Sequence, residues 1–364
     1  MNHSLYDKLQ VLEPAGQVMD REERLRAAGR PLLNWYHEHR RILPWRERPE
    51  PYRVWISEIM LQQTRVEAVK PYFDRFMEAL PGVTDLAEVT EDRLLKLWEG
   101  LGYYSRARNL KKAAELLVEK YGGQLPSSYE ELKTLPGIGS YTAGAIASIA
   151  FRLPVPAVDG NVLRVISRMT GSMEDITKQS VKKAMEELIK EVMPKEDPGS
   201  YNQALIEAGA IVCVPNGTPL CGSCPLFSLC IAREKELTGV IPVKAPKKAR
   251  RIEYRTILIL IKDGRVAIRK RDSKGLLASL YELPGLDGLV PRELIKKTLG
   301  INEGRITPLP EAKHIFSHVE WHMTGFRVEL TEIPEGDYLW VTPEEMNKTY
   351  SLPGAFKAYT KLIR

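Results

Sequence analysis

The chain has no run of about eighteen apolar residues, so no segment is built to span a bilayer as a helix. Its opening stretch, MNHSLYDKLQVLEPAGQVMD, lacks an apolar core flanked by basic residues and does not read as a secretory signal. Cysteine is scarce: there are 4 in 364 residues, and all fall between Cys213 and Cys230. That confinement excludes a disulfide framework and points to a metal site in a reducing compartment, which sets the cytoplasm as the expected location. Neither sign of charge dominates. A net charge of +6 and a pI near 8.9 are compatible with a polyanionic partner without demanding one. Strand-like alternation is missing from the whole chain before the cysteines.

What is present is helical punctuation. A length of 364 residues favours two domains. Leu25, Leu32, Leu33 and Trp35 pattern a helix over 21–39, and Pro49 and Pro51 precede two more within VWISEIMLQQTRVEAVKPYFDRFMEAL. Ser127 with Glu130 is read as a capping box for a short helix. Helices are expected over 162–169, 177–192 and 201–212. After Glu234 the texture changes: GVIPVKAPKKARR has the look of an exposed linker. Beyond it, segments 255–261 and 265–269 flank Lys262-Asp263-Gly264 as a hairpin. Val319, Trp321 and Met323, then Phe326, Val328 and Leu330, pattern a further strand, and short helices are expected at 291–299 and 353–363. An all-α domain therefore precedes a small α+β domain. The expected boundaries are an N-terminal extension at 1–20, a helical domain at 21–234, a linker at 235–252 and an α+β domain at 253–364.

Three features carry chemistry. In TLPGIGSYTAG, Pro136, Gly137 and Gly139 form a tight turn whose backbone N–H groups, beside the start of the next helix, make a phosphate seat. Pro154 and Pro156 then return the chain to Asp159-Gly160-Asn161, where Asp159 either caps a helix or faces the turn's ligand. Glu58 shares a helical face with Val54, Trp55, Leu61 and Gln62, an apolar setting that would raise its pKa and keep a proton available near neutrality. Cys213, Cys221, Cys224 and Cys230, spaced C-x7-C-x2-C-x5-C, suit either tetrahedral zinc or a [4Fe–4S] cluster.

From about Leu25 to the C-terminus the sequence resembles the MutY-type adenine DNA glycosylases. The resemblance is carried by PYRVWISEIMLQQTRVEAV, by the hairpin ending in Asp159, and by the cysteine loop that closes the helical domain. It implies a helix-hairpin-helix glycosylase domain with an iron-sulfur loop, followed by a Nudix-like domain. The cofactor it implies is one [4Fe–4S] cluster; the family's usual first gap is about six residues, here lengthened by one. Glu58 matches the general acid that protonates the leaving adenine, and Asp159 the carboxylate that stabilises the oxocarbenium-like sugar. Tyr141 is expected to hydrogen-bond Asp159, with Asn161 helping to position the group. Where bifunctional endonuclease III-like enzymes carry a Schiff-base lysine, this chain has Tyr141, which implies a monofunctional enzyme.

The resemblance further assigns Trp45, Arg46, Leu61 and Gln203 to the adenine pocket. Gln63, Thr64, Leu101 and Tyr103 match positions that wedge into the stack or contact the opposite base. Gly275 to Gly285, GLLASLYELPG, resembles the Nudix-like domain appended to these enzymes. A metal-dependent hydrolase needs a glutamate-rich helix, and PRELIKKTLG offers only Glu293, so a recognition module is expected. Phe316, Ser317 and His318 match the loop that reads 8-oxoguanine. The implied partner is double-stranded DNA holding 8-oxoguanine:adenine or guanine:adenine mispairs, bound by a monomer without any membrane and, in a prokaryote, at the nucleoid. A thymine or uracil mismatch glycosylase and a non-catalytic lesion-binding protein are the alternatives.

Overall fold

The structure, a computed structural model, describes residues 19–246 and 249–363. Residues 1–18 of the expected N-terminal extension lie outside the described residues, as do Lys247 and Lys248 of the expected linker. Two compact units emerge. One gathers the described residues up to Val66 with Leu116–Pro246; the other gathers Glu67–Glu115 with the described residues after Pro246.

The first unit is helical. Its opening helix, Arg21–His39, begins with a capping box in which Asp20 accepts from the Glu23 N–H at 2.8 Å and Glu23 accepts from the Asp20 N–H at 3.1 Å. Leu25, Leu32 and Tyr36 of that helix are buried with Val162, Ile166, Ile189, Tyr201 and Leu205 in one core. Helices Gly160–Thr170, Gln179–Val192 and Pro198–Ile211 supply the other residues of that list. The short helix before the hairpin is Tyr129–Leu132, and its cap is Ser128, accepting from the Glu131 N–H at 3.4 Å. The expected Ser127 and Glu130 box is therefore replaced by a single side-chain cap one residue later, because the chain enters helical geometry one position later. Among the described residues no strand precedes Arg251; an isolated bridge joins Asp175 and Val243.

The close approach that shapes this unit is at Gly144, in the helix Ser140–Ile149. A Cβ there would lie 2.1 Å from the Pro156 carbonyl oxygen. The helix thus lies flat against the extended return that leads to Asp159, and only glycine lets it.

The second unit holds helices Val83–Glu88 and Glu91–Trp98, and a seven-stranded sheet. Strands β1 (Arg251–Lys262) and β2 (Arg265–Lys270) form the expected hairpin; Asp263 and Gly264 both take positive φ, 50° and 74°, as a two-residue primed turn requires. Strands β3 (Tyr281–Glu282), β4 (Gly285–Asp287), β5 (Arg305–Ile315), β6 (Val319–Glu329) and β7 (Leu339–Val341) follow. The order is β3-β2-β1-β6-β5, with β4 on β1 and β7 on β2. β1 and β6 pair in parallel over eleven positions, Arg251 opposite Val319 to Ile261 opposite Glu329.

Each face of this sheet carries a core over part of its length, while Ile252 and Tyr254 at the start of β1 stay half exposed. Ile257, Ile259, Val319, Trp321 and Met323 pack with Phe356 and Tyr359, whereas Leu258, Leu260, Phe326 and Val328 pack with Ile295 and Leu299. The apolar phase of β6 therefore switches near Gly325, whose missing Cβ would stand 2.3 Å from Tyr359 Cε1. The helix expected at 291–299 is Arg292–Leu299, and the one at 353–363 is a 3-10 turn, Gly354–Phe356, followed by Lys357–Thr360.

Gly144→Ala should destabilise the protein by about 2 kcal/mol or more, since its contact is backbone and cannot rotate away. Gly139→Ala, where an added Cβ meets nothing within 4 Å, should cost no more than about 1 kcal/mol, the loss of glycine's preference at the N-cap. Urea unfolding of the two variants side by side measures the difference.

Candidate active site

Glu58 lies on the helix Pro51–Leu61, which Pro51 starts and Glu50 caps through its backbone conformation. Its neighbours Val54, Trp55, Ile59 and Met60 are buried, and Glu58 itself is 7% exposed. Burial pushes its carboxyl up from 4.5 to about 7, further helped by the charge of Asp159 and opposed by the Tyr141 hydrogen bond and by Arg46. The Tyr141 hydroxyl donates to Glu58 Oε2 at 2.7 Å. This corrects the expectation that Tyr141 would bond Asp159: the first turn of Ser140–Ile149 aims the phenol at the acid instead. Burial, with Glu58 and Asp159 nearby, holds the phenol well above its ordinary value, so it stays a donor.

Asp159 both caps a helix and faces the cavity. Its Oδ1 accepts from the N–H groups of Asn161 and Val162, each at 2.8 Å, and its Oδ2 accepts from Asn161 Nδ2 at 2.6 Å. Burial pushes this carboxyl up, while those three bonds and Arg164 favour the anion. Arg164 Nη2 donates to Asn161 Oδ1 at 2.9 Å and to the Gly209 carbonyl at 2.8 Å, and its Nε donates to the Cys213 carbonyl at 2.7 Å. Gly209 has no side chain for a reason: a Cβ would stand 2.6 Å from that of Asn161.

Glu58, Asp159, Tyr141 and Asn161 line one cavity of about 480 Å³, and the expected pocket residues Trp45, Arg46, Leu61 and Gln203 line it too. Gln63 and Thr64 also line it, and Gln63 is exposed with φ at 58°. Two charged lining residues, Glu207 and Arg41, escaped the sequence reading. Glu207 has no exposed side-chain surface, and it accepts from Arg41 Nη2 at 2.8 Å and Arg46 Nη2 at 2.9 Å. Burial alone would raise its pKa, but these bonds outweigh burial and hold it down to about 2. The signal was available: Glu207 is the only acid in PGSYNQALIEAGAI, the same lone-carboxylate pattern that singled out Glu58. For Arg41 no comparable sequence signal exists.

Pro136, Gly137 and Gly139 sit apart from the cavity lining, with Gly137 at φ 79° and Gly139 capping Ser140–Ile149. The four cysteines line one small cavity together with Arg168, whose Nη1 approaches Cys213 Sγ at 3.3 Å. Among the described residues no three His, Cys, Asp or Glu side chains converge as a single metal ion needs. Four thiols around one space, with the Arg168 guanidinium beside Cys213, are a donor set that would suit a thiolate-bound iron-sulfur cluster.

In the second unit, Tyr103, Phe316, Ser317 and His318 line a separate cavity of about 650 Å³. Tyr103 is 44% exposed and Leu101 only 6%, so the loop offers the tyrosine and keeps the leucine packed. Ser317 Oγ and His318 Nδ1 are 3.2 Å apart, a shared hydrogen bond. No helix of the described residues is long and apolar enough to cross a membrane.

Because Glu58 binds its proton more tightly when folded than at 4.5, it contributes stability below that value that is lost as pH rises through about 7. Glu58→Gln should therefore raise stability by about 3 kcal/mol at pH near 8, with the gain vanishing by pH near 4. Urea unfolding across that range checks the sign.

The family described as HhH-GPD superfamily base excision DNA repair protein matches residues 56–191, and the NUDIX domain matches residues 256–362. The chain is 35% identical to the adenine DNA glycosylase of Homo sapiens, over 87% of this chain and 70% of that one. It is also 35% identical to that of Buchnera aphidicola subsp. Schizaphis graminum, over 82% of this chain and 87% of that one. Among solved structures it is similar to a thermostable thymine-DNA glycosylase, with TM-score 0.53, 30% identity and 58% of this chain covered against 98% of that one. A trapped endonuclease III–DNA covalent intermediate gives TM-score 0.52 at 28% identity, covering 60% of this chain and 100% of that one. With relatives this similar over most of both chains, and with both domains matched, the chain belongs to the adenine DNA glycosylase family.

Proposed function

We propose that this DNA N-glycosylase hydrolyses the bond between adenine and deoxyribose where adenine is mispaired with 8-oxoguanine or guanine. The observation that carries the reading is a buried carboxyl, Glu58, held near 7 in the same cavity as hydrogen-bonded Asp159. Adenine leaves most easily once its N7 is protonated. Tyr141 occupies Oε2 of Glu58, so Oε1 carries the proton to the base. Bond breaking leaves an oxocarbenium-like sugar, and Asp159, kept in place by two backbone N–H groups and Asn161, faces it as the anion. Glu58, now ionised, takes a proton from the attacking water. Glu207, held anionic by Arg41 and Arg46, is suited to accept from the exocyclic amino group of adenine, while Gln203 offers an amide to the purine edge.

Base extrusion is required to fill this cavity, and Gln63, Thr64 and Tyr103 are suited to enter the stack. Tyr103, Phe316, Ser317 and His318 would read the opposite base, as a recognition surface rather than a hydrolase. Cys213, Cys221, Cys224 and Cys230 would hold one [4Fe–4S] cluster, which supplies a rigid cross-link among four thiolates. The partner is mispaired duplex DNA, engaged by a monomer at the chromosome.

Duplexes holding each candidate mispair, incubated with protein and then treated with alkali, should break at adenine opposite 8-oxoguanine and opposite guanine. Breakage only at thymine or uracil would instead favour a related mismatch enzyme, and none at all a non-catalytic binder. Glu58→Gln should lower excision by at least about a thousandfold while leaving duplex affinity close to unchanged; substantial turnover would remove Glu58 from its role. Borohydride should trap no more covalent protein–DNA adduct than a Tyr141→Phe control gives, because a phenol forms no imine.

A further inference from the structure

The cavity beside Phe316, Ser317 and His318 has a third wall, formed by Leu276 and Leu277. These belong to a five-residue turn in which Gly275, Leu277 and Ser279 all have positive φ, at 91°, 59° and 59°. For glycine that is free, but leucine and serine rarely adopt it, and it persists only where the surroundings over-determine it. Part of the restraint is local: Arg271 Nε donates to the Leu276 carbonyl at 3.1 Å, and the Ser279 N–H donates to the Asp272 carbonyl at 2.9 Å. A further restraint comes from 170 residues away, where Arg108 Nη1 donates to the Ala278 carbonyl at 2.6 Å.

Arg108 stands in the first turn of the helix Ser105–Tyr121. Two residues earlier, buried Arg106 donates to the carbonyls of Leu101 and Gly102, each at 3.0 Å, and its guanidinium lies over the Trp98 and Tyr103 rings. It thereby holds the loop that presents Tyr103, itself at φ 48°. Two arginines of one helical turn thus fasten two walls of the cavity.

We propose that Arg108 is a positioning residue for selection of the base opposite the adenine. It fixes the strained 275–279 turn so that Leu276 and Leu277 close the cavity against the 316–318 loop. This inference rests on the reading of Phe316, Ser317 and His318 as the opposite-base reader. The guanidinium lines the cavity and grips the Ala278 carbonyl at its edge, and the effect proposed is on the shape of that wall. A charge-assisted bond to a carbonyl is roughly twice as strong as a neutral one.

The test compares Arg108→Ala, Arg108→Lys and the double variant Ser317→Ala with His318→Ala against the unaltered protein. Single-turnover excision is measured on duplexes with adenine opposite 8-oxoguanine and opposite guanine. Arg108→Ala should lower the ratio of the two rates by about tenfold, the worth of one charge-assisted hydrogen bond, and Arg108→Lys should restore much of it. Trypsin should also cut Arg108→Ala sooner after exposed Lys274, in the loosened turn. If Arg108→Ala keeps the ratio while the double variant loses it, the inference fails and the loop reading stands. If the double variant keeps the ratio, the loop reading fails and takes the inference with it. Equal loss of both rates in Arg108→Ala, with a lower thermal midpoint, marks a purely structural arginine and overturns the proposal.

Discussion

Burying a carboxyl without giving it a cation is the constraint on which this molecule depends. Glu58 receives only a neutral phenol, so burial wins and the proton is retained near neutrality. In the same cavity Glu207 receives two guanidinium groups and is held anionic. One cavity thus holds two glutamates with opposite ionisation, separated by their partners rather than by their chemistry. Arg46 serves both sides: it anchors Glu207 directly while its charge restrains the rise at Glu58. Asp159 stands between these extremes, paired with N–H dipoles instead of a full charge.

The helix Gly160–Thr170 ties this electrostatic arrangement to the cysteine loop. At its start Asp159 is capped onto the first turn; four residues along its length Arg164 grips Asn161 and the Cys213 carbonyl. Near its end Arg168 reaches Cys213 Sγ and the carbonyls of Thr238 and Ile241. The tight fit at Gly209 keeps Asn161 from retreating. The site and the cysteines therefore share one rigid element, without a loop between them.

Much of this was legible in the chain. The helix over Arg21–His39 has the predicted bounds, and the hairpin and the alternation of β6 were read from their residues. Glu58 betrayed itself as a charge on an apolar face, which is a statement about burial that sequence can make. Which oxygen Tyr141 meets was not legible, because the direction of a side chain at a helix start depends on the tertiary packing of Gly144 on Pro156. Nor was the parallel pairing of β1 with β6, since period-2 patterning does not reveal a strand's neighbour. Arg108 carried no signal either; an arginine in an amphipathic helix looks solvated until its partner, 170 residues later, is placed beside it.

The phase switch of β6 at Gly325 has a further meaning. The two cores cover the sheet from Thr256 onward in β1, while Ile252 and Tyr254 at the start of that strand stay half exposed. The cavity of this unit is instead lined by connections at the strand ends, among them residues of 275–279 and 316–318. Those connections are not independent of the layer behind them: Leu276, Leu277 and Phe316 pack on the core that holds Trp321, so a change in either loop is felt in the sheet.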